Sequence, residues 1–311
     1  MRVISQPTEL NAGERLVCAA AGVFDGVHLG HQAVIRQALD DARQAGGVAV
    51  AITFDCHPQS VVAPPRAPLL IQPLARRLAG LEALGVQVAL VYHFDLAFSR
   101  QTAETFIRHL VQGFGRLHGL SVSRKFRFGY QRQGNVTLLK QYGKQFGFAV
   151  REAKVVIFAG EPISSTRIRA AIQAGRLQEA SLMLGWPYAI AARIVPGDKL
   201  GQQLGFPTAN LDIRGLILPP NGVYAARVRL AGAEHLAVLN IGCRPTVAKA
   251  TDEKRLEVHL LDWSGNLYGT ELEVAFAAKL REEMAFASLA ELQQQIARDV
   301  AQAKTVLQHR A

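Results

Sequence analysis

A glycine-rich turn set between a short apolar stretch and a helical stripe constrains this chain most. Leu16-Val17-Cys18-Ala19-Ala20-Ala21 is apolar and of strand length. Gly22-Val23-Phe24-Asp25-Gly26-Val27-His28-Leu29-Gly30-His31 follows it. Gln32 to Ala45 then places apolar residues at Val34, Ile35, Ala38, Leu39 and Ala42, which is helical spacing. In an open parallel sheet, a strand-to-helix turn of this kind lies at the carboxyl end of the strands, where ligands bind. Glycine lets backbone N–H groups approach a phosphate, and the helix start adds positive potential. His28 and His31 flank that start and can aim at one phosphate. A His–Xaa–Xaa–His pair also suits a metal ion, or two solvated histidines.

The rest of the first half repeats the pattern. Val48–Phe54 is apolar without alternation, as a buried parallel strand is. Pro73–Leu84 reads as a helix with proline at its start and Gly85 after its end. Val86–Tyr92 and Leu117–Val122 read as further strands, and Phe146–Ile157 holds a fifth. Thr102–Val111 reads as a helix with Thr102 and Thr105 as candidate caps. Alternation of this kind predicts a doubly wound parallel sheet.

Ile163-Ser164-Ser165-Thr166-Arg167-Ile168-Arg169 opens another helix. Three hydroxyl residues there can simply cap free N–H groups. Two arginines in a first turn oppose the helix dipole unless an anion is present, which points to phosphate. Charge agrees: Arg116–Arg176 holds 12 Lys+Arg against 2 Asp+Glu, within a chain of net charge +10. No helix-turn-helix, zinc or RNP-type pattern accompanies these charges, so a nucleoside triphosphate suits them better than a nucleic acid.

The texture changes near Gly185-Trp186-Pro187. Ala189–Val195, Gly222–Leu230, Leu236–Ile241, Leu256–Leu261 and Leu272–Phe276 are short strands separated by turns, which predicts a small antiparallel barrel. Ser288–Leu307 is a closing helix, with Ser288 and Glu291 as a capping box. With 311 residues and 49% apolar content, two domains are expected, 1–185 and 188–311. Cys18, Cys56 and Cys243 make neither a disulfide framework nor a metal spacing, and no stretch has the length and apolarity of a membrane span. A cytoplasmic protein is expected, with no membrane or nucleic-acid partner and at most weak homo-oligomerisation.

The turn resembles the His–Xaa–Gly–His signature of nucleotidylyltransferases, in the form found in bacterial FAD synthetases. Ile163–Arg169 is similar to the second signature of that group. Leu204-Gly205-Phe206-Pro207-Thr208-Ala209-Asn210 resembles riboflavin kinase, together with Gly222-Val223-Tyr224-Ala225, Asn240-Ile241-Gly242-Cys243-Arg244-Pro245-Thr246, Glu257-Val258-His259-Leu260 and Leu267-Tyr268-Gly269. The resemblance to the bacterial bifunctional riboflavin kinase/FAD synthetase family covers nearly the whole chain. It implies phosphorylation of riboflavin to FMN and adenylylation of FMN to FAD, with ATP and Mg²⁺. By the same resemblance, His28, His31 and Arg169 act on the ATP phosphates, and Gly22, Phe24, Asp25, Gly26, Ser164, Ser165 and Thr166 bind that ATP. His57, Pro58, Arg127, Phe128 and Gly129 bind the flavin nucleotide. Gly197, Asp198, Lys199, Gly201, Gly205 and Pro207 bind the kinase ATP, and Glu257 is the base toward the ribityl hydroxyl. Thr208 and Asn210 offer neutral oxygens two residues apart, so on an extended segment both can face one Mg²⁺.

Four places depart from the family pattern. Cys56 stands for a proline, Ser123 and Lys125 for glycine and aspartate, Asn135 for a common aspartate, and Lys199-Leu200 for Gly-Arg. The alternative they suggest is a riboflavin kinase with a weakened or differently specific nucleotidylyltransferase domain.

Overall fold

The structure, a computed structural model, describes all residues except 12, 14, 198, 199, 244–253, 266, 268 and 309–311. The chain divides into two compact units. One comprises Met1–Ile168 and Met183–Gly185, the other Arg169–Leu182 and Trp186–Ala311.

The first unit runs β1 (Arg2–Ile4), β2 (Val17–Ala21), α1 (Leu29–Gln44), β3 (Val48–Phe54), α2 (Pro58–Val62), α3 (Leu74–Ala83), β4 (Val88–Tyr92), α4 (Leu96–Ser99), α5 (Ala103–Phe114), β5 (Leu117–Val122), α6 (Val136–Phe146), β6 (Ala149–Glu152) and the hairpin β7 (Ile157–Phe158) to β8 (Glu161–Pro162). The main strands form one parallel sheet in the order β1-β4-β3-β2-β5-β6. From β2 the chain winds outward through β3 and β4, then returns to the other side of β2 as β5. The switch point therefore lies between β2 and β5, and the glycine-rich turn leaves β2 beside it.

The doubly wound sheet expected from sequence is present, with additions. β1 pairs in parallel with β4, an edge strand too short for its pattern to show. Only Ile4 of its three residues is buried. The stretch Phe146–Ile157 holds β6, flanked by the end of α6 and the start of β7. Helix α6 buries only Val136, Leu139 and Gly143, a stripe too sparse to stand out from the flanking polar residues. Helix α5 is stronger. The Thr102 hydroxyl accepts the N–H of Thr105 at 3.1 Å, and Phe106, Ile107, Leu110 and Phe114 face the core.

Helices α7 (Ser165–Gln173) and α8 (Leu177–Leu184) come next. The second unit continues through β9 (Ala189–Val195), α9 (Leu200–Gln203), β10 (Ala209–Leu211), β11 (Gly222–Leu230), β12 (Ala233–Cys243), β13 (Lys254–Leu260), β14 (Glu271–Arg281) and α10 (Leu289–Gln308). Its strands close a barrel in the order β10-β13-β12-β11-β14-β9. Leu256, Val258 and Leu260 are buried while Arg255, Glu257 and His259 are half-buried, the alternation of a strand with one face in the barrel core. Helix α10 covers the other face, packing Ala303 and Leu307 against Val223, Ala225 and Val238. At its start the Ser288 hydroxyl accepts the N–H of Glu291 at 3.2 Å. The Glu291 carboxylate returns to the N–H of Ala287 at 3.1 Å, one residue before the position of the expected capping box.

Asn135 caps α6 by accepting the N–H of Leu138 at 2.9 Å, a task aspartate performs equally well. Asn135→Asp is expected to leave the unfolding free energy of the first unit within about 0.5 kcal/mol of the parent, while Asn135→Ala lowers it by about 1 kcal/mol. Denaturant melts of the full chain check both.

Candidate active sites

In the first unit the turn is built from residues in unusual backbone conformations. Phe24 and Val27 have φ of 52° and 38°, and Gly26 has 84°. A β-branched residue at positive φ is strained, and such strain persists only where surrounding contacts hold it. Those contacts are visible. Phe24 and Val27 are fully buried, and the N–H of Val27 donates to the carbonyl of Phe24 at 2.9 Å. The carboxylate of Asp25, 1% exposed, accepts the N–H groups of Ile71 and Gln72 at 3.0 and 3.1 Å. Gln32 donates to the carbonyls of Val27 at 3.1 Å and Leu184 at 2.9 Å.

The turn ends on His28, which caps α1. Its Nδ1 accepts the N–H of His31 at 3.2 Å. In the neutral ring the proton then sits on Nε2, an assignment made from this bond. The two imidazoles stack with centroids 3.6 Å apart and 18° between planes, and the edge of Phe24 supports His31 at 5.5 Å. Two ring donors thus stand over a helix N-terminus, the arrangement that favours a phosphate anion.

The second expected signature joins the first. Ser165 donates its hydroxyl to the carbonyl of Asp25 at 3.1 Å, and Ile163 lies against Gly30. Ser164 caps α7 by accepting the N–H of Arg167 at 3.3 Å, and Thr166 is exposed beside it. The Arg167 guanidinium is directed to the β7–β8 hairpin, donating to Phe158 and Glu161 carbonyls at 2.7 and 3.0 Å. Arg169 is half-buried further along the same helix and counts with the second unit.

On the expected flavin side, His57 caps α2 by accepting the N–H of Gln59 at 3.2 Å, and Pro58 takes the first helical position. Cys56 has the N–H that a proline lacks and donates it to the Asp55 carboxylate at 2.8 Å. That carboxylate also accepts Phe94 N–H at 3.0 Å and pairs with His93 Nδ1 at 2.5 Å. Arg127 is exposed, whereas Phe128 is a core ring, stacked on Phe126 at 5.5 Å. Gly129 lies against the backbone of Ala103, with φ of 73°. Ser123 and Lys125 are exposed on a turn closed by Phe126 N–H to Ser123 O, and Ser123 has no positive φ that would demand glycine.

In the second unit one row of the barrel gathers the expected kinase residues. Asn210 on β10 stands opposite Glu257 on β13, which stands opposite Asn240 on β12. Directly opposed residues share a face. All three, with Thr208, line a cleft of about 350 Å³ between the outer face of the barrel and α10. The segment expected as an extended turn is the short strand β10, which pairs with both β9 and β13. The extended backbone brings Thr208 and Asn210 to the same cleft, so their hard oxygens fit Mg²⁺ with phosphates and water completing the shell. Gly197 makes room for this: a Cβ there would sit 1.9 Å from Asn210 Nδ2. Gly201 lies in α9 against the carbonyl of Phe206, Gly205 turns the chain with φ of 84°, and Pro207 accepts His259 Nδ1 at 2.8 Å. Asp198 and Lys199 lie outside the described residues.

Sequence reading passed over several residues of both sites. Asn240 and His259 stood in the quoted strings but were not singled out, although His259 shares the strand face of Glu257 at period two. Half-buried Arg281 and buried Asp299 wall the cleft as an ion pair, Nη2 to Oδ2 2.8 Å. Arg77 beneath the glycine-rich turn had no signal, being one of two adjacent arginines on an ordinary amphipathic helix.

Ring donors at a helix start in one unit and hard oxygens beside a cleft in the other are the groups that a nucleotide-dependent transferase requires. A family model described as FAD synthetase matches residues 11–167, and one described as riboflavin kinase matches residues 184–307. The curated bifunctional riboflavin kinase/FMN adenylyltransferase of Escherichia coli (strain K12) is 40% identical over 279 residues, 89% of this chain and 88% of that one. The Pseudomonas fluorescens protein of the same name is 38% identical over 307 residues, 98% of each chain. A crystal structure described as a macrolide-efflux protein from Streptococcus pneumoniae has a TM-score of 0.82 at 28% identity and covers 98% of this chain and 99% of that one. Among the described residues here, no helix is long and apolar enough to cross a membrane. The chain belongs to the bifunctional riboflavin kinase/FMN adenylyltransferase family.

The pair between Asp55 and His93 titrates predictably. Its hydrogen bond and charge raise His93 above the usual imidazole pKa. Burial would raise Asp55, but the bonds from Phe94 N–H, His93 and Cys56 N–H outweigh it and hold that carboxyl low. The pair therefore stabilises the fold between the two values. It is lost above, as His93 deprotonates, and below, as Asp55 protonates. NMR titration is expected to place His93 above 6.5 in the parent and to return it toward 6.5 in Asp55→Asn.

Proposed function

We propose that residues 1–185 form the adenylyltransferase domain and residues 188–311 the kinase domain of an enzyme that makes FMN from riboflavin and FAD from FMN. ATP is consumed in both steps. The observation that carries the residue roles is the meeting of motifs within each unit: Ser165 on Asp25 in the first, Glu257 opposite Asn210 in the second.

In the kinase step, Glu257 accepts the proton of the riboflavin ribityl hydroxyl as that oxygen attacks the γ-phosphorus, the bond from the γ-phosphorus to the β-phosphate oxygen breaks and ADP leaves. Thr208 and Asn210 would hold Mg²⁺, which when bound neutralises phosphate charge. Gly197, Asp198, Lys199, Gly201, Gly205 and Pro207 belong to the segment that covers this ATP. In the adenylyl step, the FMN phosphate attacks the α-phosphorus of ATP and pyrophosphate leaves. Charge grows on the oxygens in flight, and His28 and His31 donate to them. Fixed donors of this kind act without reorganising when the charge develops. No protein nucleophile is required, since positioning supplies most of the effect. Gly22, Phe24, Asp25, Gly26, Ser164, Ser165, Thr166 and Arg169 hold this ATP. His57, Pro58, Arg127 and Gly129 hold the flavin nucleotide, and Phe128, a core ring, anchors the segment that carries Arg127 and Gly129. The enzyme acts on small molecules in the cytoplasm, without nucleic acid or membrane, and associates with itself weakly if at all.

Chromatography of flavins after incubation with riboflavin, ATP and Mg²⁺ tests the assignment. Replacing either histidine, His28→Ala or His31→Ala, is expected to lower FAD formation by about 10²-fold and leave FMN formation unchanged. FAD synthesis at the parent rate in both variants would remove the histidines from the mechanism.

Glu257→Gln keeps shape but cannot take a proton. Its kcat for FMN formation is expected to fall roughly 10²–10⁴-fold at an unchanged melting temperature. Full activity, or activity lost only with unfolding, would overturn the role of base.

A further inference from the structure

Beneath the glycine-rich turn lies a charge that none of the motifs contains. Arg77, on α3, is 1% exposed. Its Nη1 donates to the carbonyl of Val23 at 2.8 Å and to Thr53 Oγ1 at 3.4 Å. Its Nη2 donates to the carbonyls of Phe54 and Asp55 at 3.1 and 3.2 Å. Thr53 adds a second bond to the Val23 carbonyl at 3.0 Å. One guanidinium thus ties the first residues beyond β2 to the last of β3.

The location gives this bridge its meaning. Carbonyls at the carboxyl ends of parallel strands present partial negative charge to the crevice where ligands bind. Left unpaired, those of Val23, Phe54 and Asp55 would repel a nucleotide phosphate. The guanidinium draws all three toward itself and adds a positive charge below the turn. Val23 immediately precedes Phe24, the first residue of the strained turn, so its carbonyl is where the turn is anchored. The same cation also fixes Asp55, two residues before His57.

Stability alone does not account for the residue. Burial disfavours the charged guanidinium and lowers its pKa, against attraction from Asp25, Cys56 and Asp55. Its Nε–H is buried with no partner among the described residues, which costs stability. A buried charge whose guanidinium binds the backbone on both sides of a ligand crevice is a candidate for a role in that crevice.

We propose that Arg77 is a positioning residue for the adenylyl-transfer step, acting through its buried charge on the backbone of the phosphate turn. This rests on the assignment of that turn to the ATP phosphates. It predicts a loss in kcat more than in ATP affinity, because a turn displaced by a fraction of an ångström still binds ATP but misplaces the histidines.

The test compares Arg77→Met, Arg77→Gln and Arg77→Lys in the full chain. Measurements are FAD formation from FMN, FMN formation from riboflavin, equilibrium ATP binding, and melting. Methionine and glutamine variants are expected to lose about 10- to 100-fold in kcat for FAD. ATP affinity should change by less than about 3-fold and FMN formation not at all. Lysine, which keeps the charge, is expected to remain within about 3-fold of the parent. A glutamine variant as active as the lysine variant overturns the inference, whether or not the methionine variant folds. So does activity lost only through unfolding of the first unit. His31→Ala, assayed alongside, separates the two readings. If it keeps full FAD synthesis, the turn itself is misassigned. If it is inactive while Arg77→Met is active, only the role of Arg77 fails.

Discussion

Asp25 is the residue through which the first unit is joined. Its carboxylate takes the N–H groups of Ile71 and Gln72, and its backbone carbonyl takes the hydroxyl of Ser165. Three segments far apart in sequence therefore meet on one buried residue. A buried carboxylate is costly unless its oxygens are used, and here backbone donors use them. With Asp25 fixed, the residues on either side are held where free backbone would not go. Phe24 and Val27 stay at positive φ because they are packed into the core and their neighbours are bonded. The stacked histidines are the downstream result. Their placement depends on a turn that would relax if those contacts were absent.

The second unit solves a different problem by simpler means. A closed antiparallel barrel gives each strand an inner face for the core and an outer face for something else. Glu257 sits on the outer face because Leu256 and Val258 take the inner one. The β10–β13 register then puts Asn210 directly across from it. Helix α10 turns this outer face from open surface into a cleft wall. It is held there by apolar contacts with β11 and β12 and by the Arg281–Asp299 pair at the end of β14. The cleft thus lies between barrel and helix, not inside the barrel.

Three of the departures from the family pattern have local physical accounts, and nothing in the structure explains Lys125. Cys56 contributes an N–H to Asp55, Asn135 caps a helix, and Ser123 occupies ordinary backbone. None of them reaches the contacts that hold Asp25. The family shared with the curated relatives is therefore compatible with each of these substitutions.

Much was legible in the chain itself, for reasons of periodicity. β3 showed as a continuous apolar run, β9 and β11 as short runs between turns, and α5 as a stripe with a threonine cap. The two histidines and the Thr–Xaa–Asn pair stood out because they lie in short strings that resemble motifs of the family. Tertiary structure alone decided the rest. β1 exists because β4 offers an edge, Phe128 is a core ring because other phenylalanines surround it, and Arg77 lies under the turn because α3 packs there. A local pattern records which face of an element is apolar. It does not record which distant backbone atoms that face will meet, and both sites are assembled from such meetings.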